Sequence, residues 1–497
     1  MSGLLILPLA IPLGAAAVSA GMNRWPRARR LLGLMALAAT IVACVALLVE
    51  VSDGDVLVGF VGAWEAPLGI TLVVDTFSAI MLSVSSVMLF AVLVYAIGSP
   101  KTDETSAFFH PVYLILAAGV SASFLTGDLF NLFVAFEVTL TASYVLITFG
   151  GSRTQIRHGM TYVVISLFAS TLFITAVGLI YASTGTVNMA DLAVKLGEID
   201  PALRTALGLL FLVVFGIKAA IFPLFFWLPD AYPAAVSPVT AIFAGLLTKV
   251  GVYAIIRSHT LLFAESEPSM LILAVAGLTM VTGVLGAISQ DDVKRILSFH
   301  IISQIGYMIF GLGLYTVAGF AAAVFYIVHH IIIKTTLFLV GGMIEEATGT
   351  ASLRRIGGLL HSSPVLAALF LVPALSLAGI PPFSGFVAKL ALIEAGFAIG
   401  THLIVGVAIA VSLLTLFSMT KIWAGVFWGE AEESPPVPGV LEETRLHFPR
   451  LMVGSTAAMV LLGILYVVAA APIYELGEQA AAGLIDTSTY ISAVLGS

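Results

Sequence analysis

Seven titratable side chains lie deep inside long apolar stretches of this sequence. They are Glu137, Lys218, Lys249, His329, His330, Lys334 and Lys389. A charged group at the centre of a bilayer costs about 2.5–3.5 kcal/mol on insertion scales, so such residues are rare and are usually functional. Buried lysine can lose its proton, and histidine can pass a proton between its two nitrogens. The set predicts a proton relay, in which a charge arriving at one group changes the proton affinity of the next.

Lys218 lies in the middle of an apolar stretch that runs from Arg204 to Pro229. A helix rises about 1.5 Å per residue, which places Lys218 roughly 21 Å from Arg204, within a hydrocarbon core about 30 Å thick. Pro223 cannot donate a main-chain hydrogen bond and clashes with the preceding turn, so the helix should kink or break just after the lysine. Transporters build ion sites from broken helices beside buried titratable groups. The alternative is a lysine that snorkels to an interface.

The other central groups fall at a similar depth on other predicted helices. Glu137 lies about 12 Å along its helix, and Lys249 lies about 17 Å along its own. His330 and Lys334 are four residues apart, so they share a helix face. Groups gathered near one depth predict a chain that runs in the plane of the membrane, whereas a pore across the membrane would spread them over depth. Glu137 is the natural counter-ion for a lysine.

Structural explanations remain open for some of these residues. Glu137 and Lys218 could form a purely structural buried pair, and His329 and His330 could be packing residues. A metal site is disfavoured, because adjacent histidines point in different directions and no carboxylate stands at ligand spacing. We therefore predict no metal and no cofactor.

Four further polar residues are assigned to the ends of the spans. Lys421 is expected to snorkel at the inner end of its helix, and His300 is expected near an interface because it follows the charged turn at 291–295. Asp128 and Glu394 lie near helix ends or breaks and are weaker candidates for the pathway.

The composition identifies an all-α polytopic membrane protein. Of the 497 residues, 60% are hydrophobic and 10% are charged, and the mean hydropathy is +1.11. The single cysteine, Cys44, excludes intrachain disulfides, Fe–S ligation and thiolate zinc sites. About fourteen spans are predicted, at 3–21, 32–50, 70–98, 111–126, 129–149, 160–183, 204–226, 238–257, 270–290, 294–315, 317–344, 363–395, 401–429 and 450–472.

The positions of the basic residues predict the orientation. With the N-terminus outside, the inner loops hold 13 of the 21 lysines and arginines, the outer loops hold 3, and the spans hold the other 5. This bias supports fourteen spans with both termini outside. The first basic cluster follows the first apolar run, which is the wrong order for a cleaved signal peptide and indicates a retained helix.

An internal repeat is predicted from two interrupted spans. In the first, Lys218 precedes Pro223 and Pro229; in the second, Pro381 and Pro382 precede Lys389. Five spans per copy would force the second copy into an inverted orientation. The predicted division is an N-terminal three-helix segment at 1–110, the repeats at 111–258 and 259–429, and an inner loop with a C-terminal helix at 430–497. The loop 51–69 alternates like a strand and predicts a small hairpin, and the loop 430–449 predicts a surface segment.

Several segments resemble a known family. They are GDLFNLFVAFEVTLTASYVLITFGG, GIKAAIFPLFFWLPDAYPAAVSPVTA, SFHIISQIGYMIFGLGL, VHHIIIKTTLFLVGGMIEEATGT and AGIPPFSGFVAKLALIEAG. Over essentially the whole chain the sequence resembles the antiporter-like subunits of the complex I superfamily, and within them the D subunits of Mrp-type multisubunit Na⁺/H⁺ antiporters.

The resemblance implies fourteen helices, two inverted five-helix repeats with helices 7 and 12 broken, and a central axis of protonatable residues. Matching motifs assign the helix-5 glutamate to Glu137, the helix-7 lysine to Lys218 and the helix-8 lysine to Lys249. They assign the helix-11 polar group to His329, His330 and Lys334, and the helix-12 lysine to Lys389.

The expected function is proton translocation within a monovalent cation (Na⁺)/H⁺ antiporter of the plasma membrane. The expected partners are other subunits, H⁺, Na⁺ and the bilayer, with no nucleic acid and no enzyme activity. The alternative is the proton-pumping membrane subunit of a complex I-like dehydrogenase or membrane-bound hydrogenase. A scaffold without transport activity is a third possibility, which the number of intact titratable sites opposes.

Overall fold

The computed structural model describes residues 2–99, 108–264, 269–430 and 448–496. Twelve helices in these ranges are long and apolar enough to cross a membrane, and two shorter apolar helices, Phe109–Leu125 and Pro364–Ala378, accompany them. The predicted all-α polytopic architecture is therefore confirmed. The predicted loop 430–449 lies almost entirely outside the described residues.

The N-terminal segment contains three long helices and one small sheet. Its helices are α1 (Ser2–Ala20), α2 (Pro26–Glu50) and α3 (Thr76–Gly98). The predicted hairpin is present, with β1 (Leu57–Phe60) antiparallel to β2 (Thr71–Val74). The second strand occupies residues that we predicted as the start of the span 70–98. That helix begins later because Asp75 caps it, accepting a hydrogen bond from Ser78 N at 2.9 Å.

The next part of the chain passes through a broken helix to the centre of the bundle. Its elements are α4 (Phe109–Leu125), α5 (Leu129–Ile147), α6 (Arg153–Thr184), α7 (Met189–Lys195), α8 (Pro201–Ala219), α9 (Leu228–Ala234), α10 (Ser237–Ile242) and α11 (Thr248–Arg257). Residues 243–247 and 258–262 are π-helical turns, so 237–262 forms one continuous helix.

The remaining elements include a second interrupted helix and a C-terminal extension. They are α12 (Met270–Ile288), α13 (Val293–Leu314), α14 (Val317–Thr348), α15 (Leu359–Ser362), α16 (Pro364–Ala378), α17 (Ser384–Ala398), α18 (His402–Trp423), α19 (Arg450–Val468), α20 (Ala470–Ile485) and α21 (Ser488–Leu495). The helices α20 and α21 were not predicted. Tyr474 of α20 packs against Phe325 of α14, with ring centroids 6.0 Å apart.

The helices differ sharply in burial. The most apolar part of the helix 237–262 and of α14 is completely buried, and that of α13 is almost completely buried. In α2, α6, α18 and α19, most residues of the most apolar part are not buried. The helices that carry Lys249, His329, His330 and Lys334 are therefore the central ones. These four side chains are themselves fully buried, which opposes snorkelling to an interface.

One local structure occurs twice and supports the predicted repeat. Asp128 caps α5 and pairs with Asn188 in an antiparallel bridge, and Asp292 caps α13 and pairs with Ser352 in the same way. The helices α6 and α14 each have 32 residues and begin and end 164 positions apart (153 and 317; 184 and 348). Each helix ends at a left-handed glycine within a Thr-Gly-Thr sequence, at 184–186 and 348–350. The inverted repeat and the four-part division of the chain remain predictions.

Candidate functional site

The first helix interruption lies directly after Lys218, as predicted. The helix α8 ends at Ala219, and Ala220 adopts a left-handed conformation with φ of 60°. A proline cannot follow a helical residue easily, which accounts for an end ahead of Pro223. The main-chain groups freed there have side-chain partners: Trp227 Nε1 donates to Ile217 O at 3.1 Å. Pro229, by contrast, lies in the first turn of α9, where proline is compatible with a helix.

Lys218 is joined to Glu137 through a serine hydroxyl. Lys218 Nζ donates to Ser170 Oγ at 3.0 Å, and Ser170 Oγ donates to Glu137 Oε1. Ser166 O is a more distant acceptor for Lys218, at 3.5 Å, and the ring of Phe136 faces the ammonium with its centroid 5.6 Å away. Across these described residues the predicted pairing of Glu137 with Lys218 is indirect, because no direct ion pair joins them.

A small cavity lies on another side of Lys218. Its volume is about 30 Å³, and its lining includes Tyr232 together with Leu247 and Val250 from the helix that carries Lys249. A water molecule needs roughly 10–15 Å³ of such space. The Tyr232 hydroxyl is buried and has no hydrogen-bond partner in the part of the chain that the structure describes. Space for one water therefore exists between Lys218 and the helix of Lys249.

Lys249 follows the π-helical turn 243–247. Its Nζ donates to Ala244 O, five residues earlier on the same helix, and lies 3.2 Å from Thr248 Oγ1. π-Turns often occur at functional positions because they disturb the regular hydrogen bonding of the helix. Here the turn supplies a carbonyl that holds the lysine amine inside the fully buried helix.

The histidines and lysine of α14 are all fully buried. His329 Nδ1 lies 2.9 Å from Ser384 Oγ, which is 3.2 Å from Ser376 Oγ. Neither ring nitrogen of His330 has a hydrogen-bond partner among the described residues, and the same holds for Lys334 Nζ. Polar atoms buried without partners are costly, so this face of α14 is suited to exchange with small polar species such as water or protons.

The second interruption separates α16 from α17. Gly379, with φ of 86°, ends α16, and Pro381 and Pro382 lie between the two helices. Lys389 Nζ donates to Leu377 O at 2.9 Å and to Ala378 O at 3.1 Å. Its third acceptor is Ser412 Oγ, at 3.1 Å. The predicted break and lysine are both present, and the lysine neutralises the carbonyl end of the preceding half-helix.

His300, which we predicted near an interface, is fully buried within the bundle. It lies on α13, and its Nε2 is 2.9 Å from Ser418 Oγ of α18. Ser418 lies three residues before Lys421, so the position of His300 near the inner end of the spans stays a prediction. Gln304, which is also polar and fully buried, lies one turn further along α13.

The other three residues that we assigned to the ends of spans lie at or close to helix ends. Lys421 Nζ donates to Asp291 Oδ1 at 2.9 Å and to Gln290 O at 2.7 Å, close to the end of α12. The hydrogen bonds from Lys421 and Arg354 lower the pKa of the Asp291 carboxyl. Asp128 is a helix cap, and burial raises the pKa of its carboxyl to about 6. Glu394 is exposed.

Three comparisons relate this chain to known proteins. Residues 126–415 match the family model described as "NADH:quinone oxidoreductase/Mrp antiporter, TM". The chain is 45% identical to the D subunit of the Na(+)/H(+) antiporter of Alkalihalophilus pseudofirmus and 39% identical to the protein of the same name from Bacillus subtilis, in each case over the full length of both chains.

Solved structures show the same likeness. A chain of the Mrp complex from Dietzia sp. DQ12-45-1b superposes with a TM-score of 0.91 at 36% identity, with full coverage of both chains. A chain of the membrane-bound sulfane sulfur reductase, described as an archaeal respiratory membrane complex, superposes with a TM-score of 0.89 at 26% identity and the same coverage.

Proposed function

This chain belongs to the family of membrane subunits shared by NADH:quinone oxidoreductase and Mrp antiporters, and we propose that it moves protons within a multisubunit Na⁺/H⁺ antiporter. The observation that carries the proposal is the hydrogen-bonded connection from the half-buried Glu137 through the buried Ser170 to the buried Lys218. It joins a group that can accept a proton to one that can release it, inside the membrane-spanning bundle.

The proposed pathway continues from Lys218 along the central helices. The water-sized cavity is lined by residues on both sides of Lys249. From Lys249 the proposed pathway passes to His330 and Lys334, which are fully buried and have nitrogens without hydrogen-bond partners among the described residues. His300 and His329 are fully buried as well, and Lys389 closes the series at the second break. Each proton transfer changes the electrostatic potential at the next group, so a proton at one end can drive release at the other.

The sequence identities of this chain to its relatives favour an antiporter over a redox-driven pump. The relatives named as Na(+)/H(+) antiporter subunits are 45% and 39% identical to this chain, whereas the respiratory sulfane sulfur reductase chain is 26% identical. The redox-driven pump remains the second candidate because that complex shares the fold. Proton movement induced by Na⁺ in the assembled complex, without any redox substrate, distinguishes the antiporter from the pump.

The proposal also specifies the location of the chain, its orientation and its partners. The chain is a multi-pass membrane protein; we place it in the plasma membrane with both termini outside, beside other antiporter subunits, in contact with lipid and without a redox centre or cofactor of its own. Protons, and Na⁺ in the complex as a whole, are the transported ions.

Substitution of Glu137 tests the proposed function. We expect Glu137→Ala and Glu137→Gln to lower antiport by about 100-fold or more, because each removes the proton acceptor of the hydrogen-bonded connection. The matched control is Glu198→Gln, since Glu198 is an exposed glutamate in the turn after α7 and should leave activity unchanged. The measurement is Na⁺-induced dissipation of a pH gradient in everted vesicles from cells without their own antiporters, normalised to assembled complex. Full exchange by either Glu137 variant would refute the pathway.

A further inference from the structure

We propose that Ser170 is a proton-relay residue, whose hydroxyl carries the proton between Lys218 and Glu137. The inference rests on the proposed function and goes beyond it, because it assigns the transfer step to a side chain that is not titratable, on a helix that contributes no residue to the predicted pathway.

When Lys218 and Glu137 are both charged, the hydrogen bonds of Ser170 can run in only one direction. An ammonium has no lone pair and can only donate, so Ser170 Oγ must accept the bond from Lys218 Nζ at 3.0 Å. The hydroxyl hydrogen is then directed at Glu137 Oε1, which as a carboxylate can only accept. Both bonds are charge-assisted, and together they form an oriented path from nitrogen to carboxylate.

A concerted transfer along this path balances without another reactant. The Lys218 N–H bond and the original Ser170 O–H bond break, while a new Ser170 O–H bond and a Glu137 O–H bond form. The products are a neutral amine, a serine hydroxyl and a carboxylic acid. The new hydroxyl hydrogen points to Lys218, and the Ser170 oxygen accepts from Glu137. Reversal restores the first arrangement, so the same hydroxyl serves transfer in both directions.

The place of Ser170 in the fold supports this role independently. The helices α6 and α14 start 164 positions apart, have the same length, begin after a hydroxyl residue (Ser152 and Thr316) and end at a left-handed glycine (Gly185 and Gly349). With that offset, Ser170 occupies the position in α6 that Lys334 occupies in α14. In one half this position holds a fully buried lysine; in the other it holds a hydroxyl between a lysine and a glutamate. The position therefore lies on the proposed pathway in both halves.

Other contacts of Lys218 do not provide an equivalent route. Its second acceptor is the main-chain oxygen of Ser166, at 3.5 Å, and a carbonyl oxygen has no hydrogen to pass on. The Phe136 ring can stabilise the ammonium but cannot carry a proton. Within the described residues, the Ser170 hydroxyl is thus the group that joins the amine to the carboxylate.

The test compares three variants of the assembled complex. We expect Ser170→Ala to lower Na⁺-induced proton movement by about 100-fold. Ser170→Thr keeps a hydroxyl and should restore most of the rate. The matched control is Thr171→Ala, the next residue on the same helix, whose exposed hydroxyl donates to Leu167 O at 2.9 Å within the helix and which should behave like wild type. Rates are normalised to assembled complex.

A second readout separates a relay from a packing role. If the hydroxyl carries the proton, transfer becomes rate-limiting without it, so the residual rate of Ser170→Ala should fall further in D₂O than the wild-type rate does. A residue that only packs would give the same ratio of rates in H₂O and D₂O for both proteins. Normal activity of Ser170→Ala overturns the relay. The relay is also overturned if Ser170→Ala is impaired, Ser170→Thr does not restore the rate, and the H₂O/D₂O rate ratio is the same as in wild type. If Glu137→Gln is inactive in those same vesicles, the proposed function survives that result.

Discussion

The two interrupted helices each place a lysine beside a break, but they bind it differently. Lys218 precedes its break and contacts the neighbouring helix α6, through Ser170 Oγ and Ser166 O. Lys389 follows its break and reaches back to Leu377 O and Ala378 O, the carbonyls that α16 leaves free. The same residue type at the same kind of break therefore forms two different sites.

The difference has chemical consequences. The contacts of Lys218 end at a carboxylate, which can accept the proton that the lysine releases. The hydrogen-bond acceptors of Lys389 are two carbonyls and a hydroxyl, and the Tyr307 ring faces its ammonium with the centroid 5.1 Å away. These groups stabilise its charge at the negative end of a helix dipole but do not take up its proton. We infer that Lys218 exchanges its proton locally, whereas Lys389 keeps a more persistent charge until the rest of the pathway changes.

Arginine substitution gives the largest expected contrast between the two breaks. A guanidinium has a pKa above about 12 and no accessible neutral form. We therefore expect Lys218→Arg to assemble normally and to lose antiport by about 100-fold or more, like Lys218→Ala. We expect Lys389→Arg to lose only about tenfold, because a permanent charge still satisfies the carbonyl end of α16. The assay is the same pH-gradient dissipation in everted vesicles.

Either of two results would break this comparison. Substantial activity in Lys218→Arg would make Lys218 a structural counter-ion for Glu137. Equal and complete loss at both positions would show that Lys389 must also release its proton in each cycle.

The helix breaks beside two of the lysines could be predicted from the sequence. Proline and the cost of a buried charge act locally, so Pro223, Pro381 and Pro382 identified the interruptions beside Lys218 and Lys389. The hairpin was also predicted, although its second strand takes residues 71–74 that apolar character alone assigned to a helix. Apolar character does not separate a buried strand from a short helical segment.

The partners of the titratable groups could not be predicted in the same way. Ser170 is not titratable, so it did not stand out in the sequence. Its importance comes from the helices that α6 packs against, which tertiary structure determines. His300 was assigned by sequence distance from a charged turn, although α13 buries it. The matching Thr-Gly-Thr sequences at 184–186 and 348–350 contained a usable signal, since they fix the offset that aligns Ser170 with Lys334.

Replacement of Pro223 should have a smaller effect on transport, and it tests whether the break itself positions Lys218. Pro223→Ala allows the helix to extend past Ala219, which would move Lys218 relative to Ser170. We expect transport per assembled complex to fall about tenfold, since small misplacements of reacting groups are costly, while the amount of assembled complex changes less. The control is Pro229→Ala, in the first turn of α9, where proline is compatible with the helix. Loss of assembly with unchanged activity per complex would make Pro223 merely structural.

The smallest expected effect is at Ser412, and it tests whether the two hydroxyls next to the lysines are equivalent. Ser412 Oγ accepts from Lys389 Nζ at 3.1 Å and donates to Ala378 O at 2.9 Å, so it strengthens a site that two carbonyls already form. Loss of one such hydrogen bond among three is worth about 0.5–1.5 kcal/mol. We therefore expect Ser412→Ala to lower antiport by about threefold, without a change in the H₂O/D₂O rate ratio, in contrast to Ser170→Ala. The two alanine variants are compared in the same vesicles at equal amounts of assembled complex. A loss at Ser412 as large as the loss at Ser170, with a raised isotope ratio, would mean that Lys389 also passes its proton through a serine, and the distinction between the two breaks would fall.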